Sequence, residues 1–143
     1  MLAALVRAVD LDAPQALSLC SRIAAEAQEH ELFGIRLHAL ARAAGRAADG
    51  GDTGTAIRFA RSAVAMASEY SPTGMPVPEM WFNIHCGFAA ADDATAAARA
   101  LQRAVEWIEQ SALPNVPDEF CDSLLNRNPV NRAILTTASR RAN

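Results

Sequence analysis

Three histidines and three cysteines are the side chains in these 143 residues best suited to metal or nucleophilic chemistry. His85 and Cys86 are neighbours, and together with His38 or Cys20 they offer the donor types of a zinc site. Spacing argues against it, because adjacent side chains on a helix diverge by about 100° and do not converge on one ion. Cys20, Cys86 and Cys121 are odd in number, widely separated and form no CxxC pair, so they suggest neither a disulfide framework nor a zinc knuckle. A cysteine nucleophile would need a histidine and an orienting carboxamide brought together in space, and no local signature surrounds any of the three. No catalytic residue, metal or cofactor is expected, and buried free thiols are the ordinary alternative.

The elements that must position these groups are helical. Apolar residues recur at helical spacing, as in Leu17, Cys20, Ile23 and Ala24, in Leu32, Ile35, Leu40 and Ala43, and in Ile57, Ala60, Val64 and Ala67. No stretch alternates with period two. Segments rich in Gly, Pro, Asp or Asn interrupt the pattern at 10–14, 49–54, 71–78, 92–93, 113–117 and 126–129. Helices are therefore expected over 1–9, 13–29, 31–48, 53–69, 77–91, 93–111, 117–126 and 129–141. Asp12 before Pro14, Asp52 or Thr53 before Ala56, and Asn128 before Pro129 each offer an oxygen acceptor to a helix's first free amides.

Composition narrows the function. There are 32 alanines, small helix formers that favour close approach of helices. All 13 basic residues are arginine; with the alanine excess this resembles the codon bias of a GC-rich bacterial genome. A net charge of −3 argues against nucleic-acid binding, which needs a basic face. Arg127, Arg132, Arg140 and Arg141 on two short helices superficially suggest a helix-turn-helix, but Asp118, Glu119 and Asp122 leave that segment nearly neutral. Arg7 and Asp10 interrupt the apolar start too early for a membrane span, and a reducing cytoplasm is the expected location.

Three segments carry an acidic turn into an Ala-rich helix: LDAPQALSLCSRI, GDTGTAIRFARSAV and DDATAAARALQRAV, with Ala16, Ala56 and Ala97 in register. Trp81, Ile84, His85 and Phe88, followed by Ala97, Leu101 and Ala104, resemble the tetratricopeptide (TPR) signature W-x2-L-G-x2-Y…A-x3-F in spacing. Only His85, where the family prefers a small residue, departs sharply. A second unit places Leu40, Ala43, Ala44 and Ala47 on its first helix and Ala56, Ala60 and Ala63 on its second. The spacing of about 40 residues exceeds the family's 34, and longer helices with a proline-rich loop at 71–78 account for the excess. The resemblance implies one all-α domain: antiparallel helix pairs stacked as a TPR-like right-handed superhelix. It divides into an incomplete first repeat (1–29), a second (31–69), a third (77–111) and a capping segment (117–141). The tail VPDEFCDSLLNRNPVNRAILTTASRR resembles the "PxEFRDSFLxRNPVNRxLL" stretch that closes the helical arrays of large bacterial signalling and regulatory ATPases. That likeness implies the C-terminal part of a bacterial transcriptional regulator, although nothing in the chain resembles a Walker motif.

In such a stack the first helix of each pair lines a concave surface. The expected groove presents His38, Ala41 and Gly45 from one unit and Glu79, Phe82 and Cys86 from the next. Phe82 would serve as apolar anchor and His38 and Glu79 would fix polar ends of a ligand, unless neighbouring repeats or a second copy cover the groove. Without lysine the carboxylate clamp of chaperone-tail adaptors is disfavoured. The leading expectation is a non-catalytic module that binds a protein partner or neighbouring domain, with homodimerisation through an exposed repeat end as an option. The alternative is a regulatory domain sensing a small molecule between its helices. Phe120, Leu124 and Leu125, then Val130, Ile134 and Leu135, are expected to cover the edge of the last pair, and Trp107 and Ile108 to face the 81–91 helix or that segment.

Overall fold

The computed structural model describes residues 1–143 as eight helices without a strand. They are α1 (Leu2–Arg7), α2 (Ala13–Glu29), α3 (Phe33–Asp49), α4 (Thr53–Ala67), α5 (Val77–Ala90), α6 (Ala94–Glu106), α7 (Asp118–Asp122) and α8 (Pro129–Ala142). Side-chain capping explains where α2, α4, α6 and α8 start. The carboxylates of Asp12, Asp52 and Asp93 accept from the amides of Gln15, Thr55 and Ala96, three residues on, at 2.9, 3.1 and 3.1 Å. Asn128 accepts from Val130 and Asn131 at the head of α8. Each satisfies amides that the helix cannot bond internally.

Three helix ends share a different device. At the ends of α2, α3 and α5 the amides of Leu32, Asp52 and Asp93 bond back to the carbonyls of Ala27, Ala47 and Phe88 at 2.8–3.0 Å. The residue before each donor is left-handed: Glu31 at φ 55°, Gly51 at 75° and Asp92 at 57°. This turn is why α3 begins at Phe33 rather than at 31, since Glu31 is committed to closing α2. In each of the second, fourth and sixth helices an alanine follows its capping Asp by one turn; these are Ala16, Ala56 and Ala97, all without exposed surface.

Consecutive long helices pack antiparallel, α2 on α3, α3 on α4 and α5 on α6, and the pairs stack because α3 and α4 both rest on α5. A single main cluster runs through α1–α6 and includes Leu5, Cys20, Leu37, Phe59, Met80, Ile84 and Phe88. Its interfaces are lined largely by alanine, so backbones approach closely. Gly87 marks one such close approach: a β-carbon there would lie 3.0 Å from the Ala56 carbonyl oxygen, 3.0 Å from Ala60 Cβ and 3.1 Å from Ala44 Cβ. Nothing within 4 Å surrounds Gly54.

A smaller cluster of Leu101, Ala104, Ile108 and Ile134 joins α6 to α8, with Leu125 and Val130 packed against it. The closing segment thus covers the end of α6, but not in every expected detail. Phe120 is 55 % exposed and Trp107 37 % exposed. Cys121, Leu124 and Leu125 are half-buried on α7 and the turn after it, and Phe120, about 100° round from Cys121, is left outside. The helices at 93–111 and 117–126 are also not uniform, because each ends in a wider π-helical turn, Trp107–Ala112 and Ser123–Arg127. Pro114 follows the first, where a proline with no amide to donate crowds the carbonyl four residues earlier and opens the preceding turn; after the second, Asn128 is extended and Pro129 begins α8.

Gly87→Ala is expected to lower stability by about 1–2 kcal/mol, overpacking outweighing the gain in helix propensity. Gly54→Ala, in open space, should raise it by up to ~1 kcal/mol. Urea melts of the two variants check the opposite signs. In the C-terminal cluster, Ile134→Ala should cost about 2–4 kcal/mol and Phe120→Ala less than ~0.5 kcal/mol, read from the same melts.

Candidate functional site

The α3–α5 face contains the four expected groove residues, and their surroundings differ. His38 has no exposed surface. Residues 71–76 cross over it: the Thr73 amide donates to the Gly34 carbonyl at 3.0 Å, and the Thr73 carbonyl accepts from His38 Nδ1 at 2.9 Å. A carbonyl only accepts, so Nδ1 carries the proton and Nε2 is left as an acceptor. Arg42, one turn along α3, points its Nε at that nitrogen at 3.4 Å. Its Nη2 donates to Glu79 Oε1 on α5 at 3.0 Å. His38 and Glu79 are therefore joined, through an arginine, into a bridge between helix pairs.

Arg42 is the residue the groove reading lacked. Its separation from His38, four positions on one helix, was the available signal. Burial pushes the pKa of His38 below the ordinary 6.5; the bond to Thr73 opposes this and the Arg42 charge adds to it. The ring is held neutral and serves to position loop and arginine.

Phe82 and Cys86 lie further along the same helix, half-buried. Phe82 stacks on His85, with centroids 5.7 Å apart and planes 15° from parallel. His85, where the TPR signature prefers a small residue, donates from Nδ1 to the Ala97 carbonyl of α6 at 2.9 Å. Burial lowers its pKa also, against the pull of that bond and together with the Arg141 charge. Cys86 is pushed up to about 11 by burial and by the negative charge of Asp49. Cys20 is pushed to about 11 by burial, partly relieved by Arg42 and Arg46. Both stay protonated thiols at neutral pH and are poor nucleophiles. No three His, Cys, Asp or Glu side chains converge, and no helix is long and apolar enough to cross a membrane.

A second feature, unforeseen from the periodicity, lies among α4, α5 and α6. A cleft of about 790 Å³ is lined by Val64, Trp81 and Phe88 and by Asp93, Arg99 and Arg103, among others. The Arg103 guanidinium stands 6.0 Å above the centre of the Trp81 ring. Asp93 is engaged as the cap of α6, and Glu106 accepts from Gln102 at 2.8 Å. The three ion pairs of the structure are Arg42–Glu79, Arg46–Asp49 and Arg127–Asp122, so Arg99 and Arg103 have no carboxylate partner. Two like charges one turn apart repel by a few tenths of a kcal/mol. The sequence signal was that i,i+4 arginine pair.

The lowered imidazole pKa values fix a pH dependence. Folding favours neutral His38 and His85, so the unfolded chain binds more protons once pH drops below the ordinary 6.5. Their contribution to stability is complete above about pH 6.5 and declines as pH falls through the folded-state values. Urea midpoints measured from pH 8 to pH 5 should be flat at first and then fall, and a His38→Gln chain, though weaker throughout, should fall less steeply. An equal slope in both chains would remove His38 from the account. Comparison with protein-family models, with curated proteins and with solved structures finds no match.

Proposed function

We propose that the chain is a non-catalytic interaction module of the tetratricopeptide kind, presenting a surface to a protein partner or to a neighbouring domain of a bacterial regulator. The observation that carries this reading is the triple recurrence of one arrangement. A capping Asp leads into a fully buried Ala at Asp12–Ala16, Asp52–Ala56 and Asp93–Ala97, and the three helices so begun sit in one stack. Repetition of a packing unit builds an extended face rather than an enclosed reaction chamber. The chemistry-bearing groups support the same view: both buried histidines hold backbone carbonyls, and Cys20 and Cys86 are held as thiols. The likeness of the tail to the closing stretch of regulatory ATPases supports a place at the end of a larger helical array.

The surface most suited to a partner on the α3–α5 face is formed by Phe82, Cys86 and the partly exposed edge of Glu79, with His38 behind them as support. A second reading, a sensor for a small molecule, is favoured by the cleft at Trp81, whose volume falls in the range of ligand pockets. Photo-crosslinking separates the two. A photoreactive residue at position 82 or 86, in source cells, should give a discrete protein adduct, and one at the exposed Gln28 should not. Absence of any adduct from 82 and 86, with reproducible thermal stabilisation by one class of compound, would replace the scaffold reading with the sensor reading.

A further inference from the structure

The two ring nitrogens of His38 hold different parts of the fold. Nδ1 donates to the Thr73 carbonyl at 2.9 Å, while Nε2 faces Arg42, whose Nε and Nη2 each stand 3.4 Å away. The same Nη2 donates to Glu79 Oε1. Nδ1 thus anchors the connector at 71–76, and Nε2 anchors the bridge from α3 to α5. A further proton has one place to go, because Nδ1 already carries one. On Nε2 it turns an acceptor into a donor, opposite two guanidinium N–H groups and a like charge. Nothing is lost at Nδ1, whose bond to the Thr73 carbonyl becomes charge-assisted and stronger.

We propose that this contact is an acid-operated clamp: a proton on His38 Nε2 expels Arg42, loosens α5 from α3 at Glu79 and leaves the connector at 71–76 fastened. The connector has other fasteners, none of which titrates. The Thr73 amide donates to the Gly34 carbonyl, the Thr73 hydroxyl fills the space of a β-carbon on Gly34, Leu2 of α1 fills that on Gly74, and Met75 is buried. The groups around the ring fix the sign. On α3, Arg42 opposes the proton; Arg46, one turn on, is engaged by the Leu11 carbonyl and Asp49. On α5, Glu79 is held by Arg42, and on α2 Cys20 is an uncharged thiol that feels both arginines. Residues 71–76 carry no titratable side chain. Burial and the Arg42 charge keep protonation below the ordinary 6.5, so the clamp is closed at neutral pH and opens in acid. Arg42 and Glu79 are 11 % and 21 % exposed, so the pair has an open side to move into. Phe82 and Cys86 follow Glu79 along α5, and their setting against α3 changes with the clamp whether or not that face holds a partner.

Nuclear magnetic resonance of the full, isotope-labelled chain reads both ends of the ring between about pH 8 and about pH 5. The His38 signals, assigned by their loss in His38→Gln, should report a proton on Nδ1 alone at the start and on both nitrogens at the end. Across that step the Overhauser contact between the ring and the Arg42 side chain should fall at least ~5-fold, while the hydrogen-exchange protection of the Thr73 amide stays within ~2-fold. Arg42→Met removes the opposing donor and charge and should move the titration to higher pH. Glu79→Gln leaves the Arg42 charge uncompensated and should move it lower, which decides the matter if the first variant fails to fold. A titration that neither variant moves in the stated direction overturns the proposal, as does an Arg42 contact that survives protonation. Loss of Thr73 protection in step with that contact also overturns it, because the proton would then open the connector together with the bridge.

Discussion

Close approach of alanine and glycine faces is the constraint on which the structure depends. α3 touches α2, α4 and α5 at once, and Ala39, Ala41, Ala43, Ala44, Gly45 and Ala47 along it are all buried. A helix can have neighbours on three sides at short distance only if its side chains are small in all three directions. The same cluster also holds larger residues, Phe59, Met80, Ile84 and Phe88, all buried. Because an alanine buries little area, each interface gains its stability from many short contacts, which makes it intolerant of one added methyl group.

Polar groups then set the relative placement of pairs that apolar faces alone would leave free to slide. Alanine surfaces are nearly featureless, so a directional bond fixes register where shape does not. His38 with Arg42 and Glu79 does this between the second and third pairs, and His85 with the Ala97 carbonyl does it within the third. Asn83 contributes in the same region, its amide donating to the Glu79 carbonyl and its side chain lying over Gly45, where no β-carbon intervenes. A buried network of this sort is favourable when each member is satisfied, and both ring nitrogens of His38 have a partner.

The helices were legible because their signals are local. The caps at Asp12, Asp52 and Asn128 and the register alanines are decided within one turn of chain, and they agree with the structure to within a residue or two. The expected cover of α6 by the tail was right for Ile134 and Val130, whose spacing on α8 is regular, and failed for Phe120 on a helix too short to establish a face. What sequence could not convey was long-range and aperiodic. Residues 71–76 fold back over His38 through backbone bonds, which any residue can make, so no side-chain pattern announces them. Of the groove set, Phe82 and Cys86 keep exposed surface, and Glu79 and His38 are bound to Arg42. The cleft at Trp81 escaped notice because its lining comes from three helices, and periodicity describes one helix at a time.

The strap formed by residues 71–76 alters how the array divides thermodynamically. In a plain repeat stack, each unit is coupled to its neighbour only through their shared interface, and end units fray first. Here the connector between α4 and α5 is fastened to the interior of α3, so loosening the second pair releases the strap and with it the start of α5. The strap couples the second pair to the third within the cluster that runs through α1–α6, whereas α7 and α8 are held by the smaller, four-residue cluster at Ile134. Loosening at Ile134 therefore frees α7 and α8 while the larger cluster keeps its own contacts.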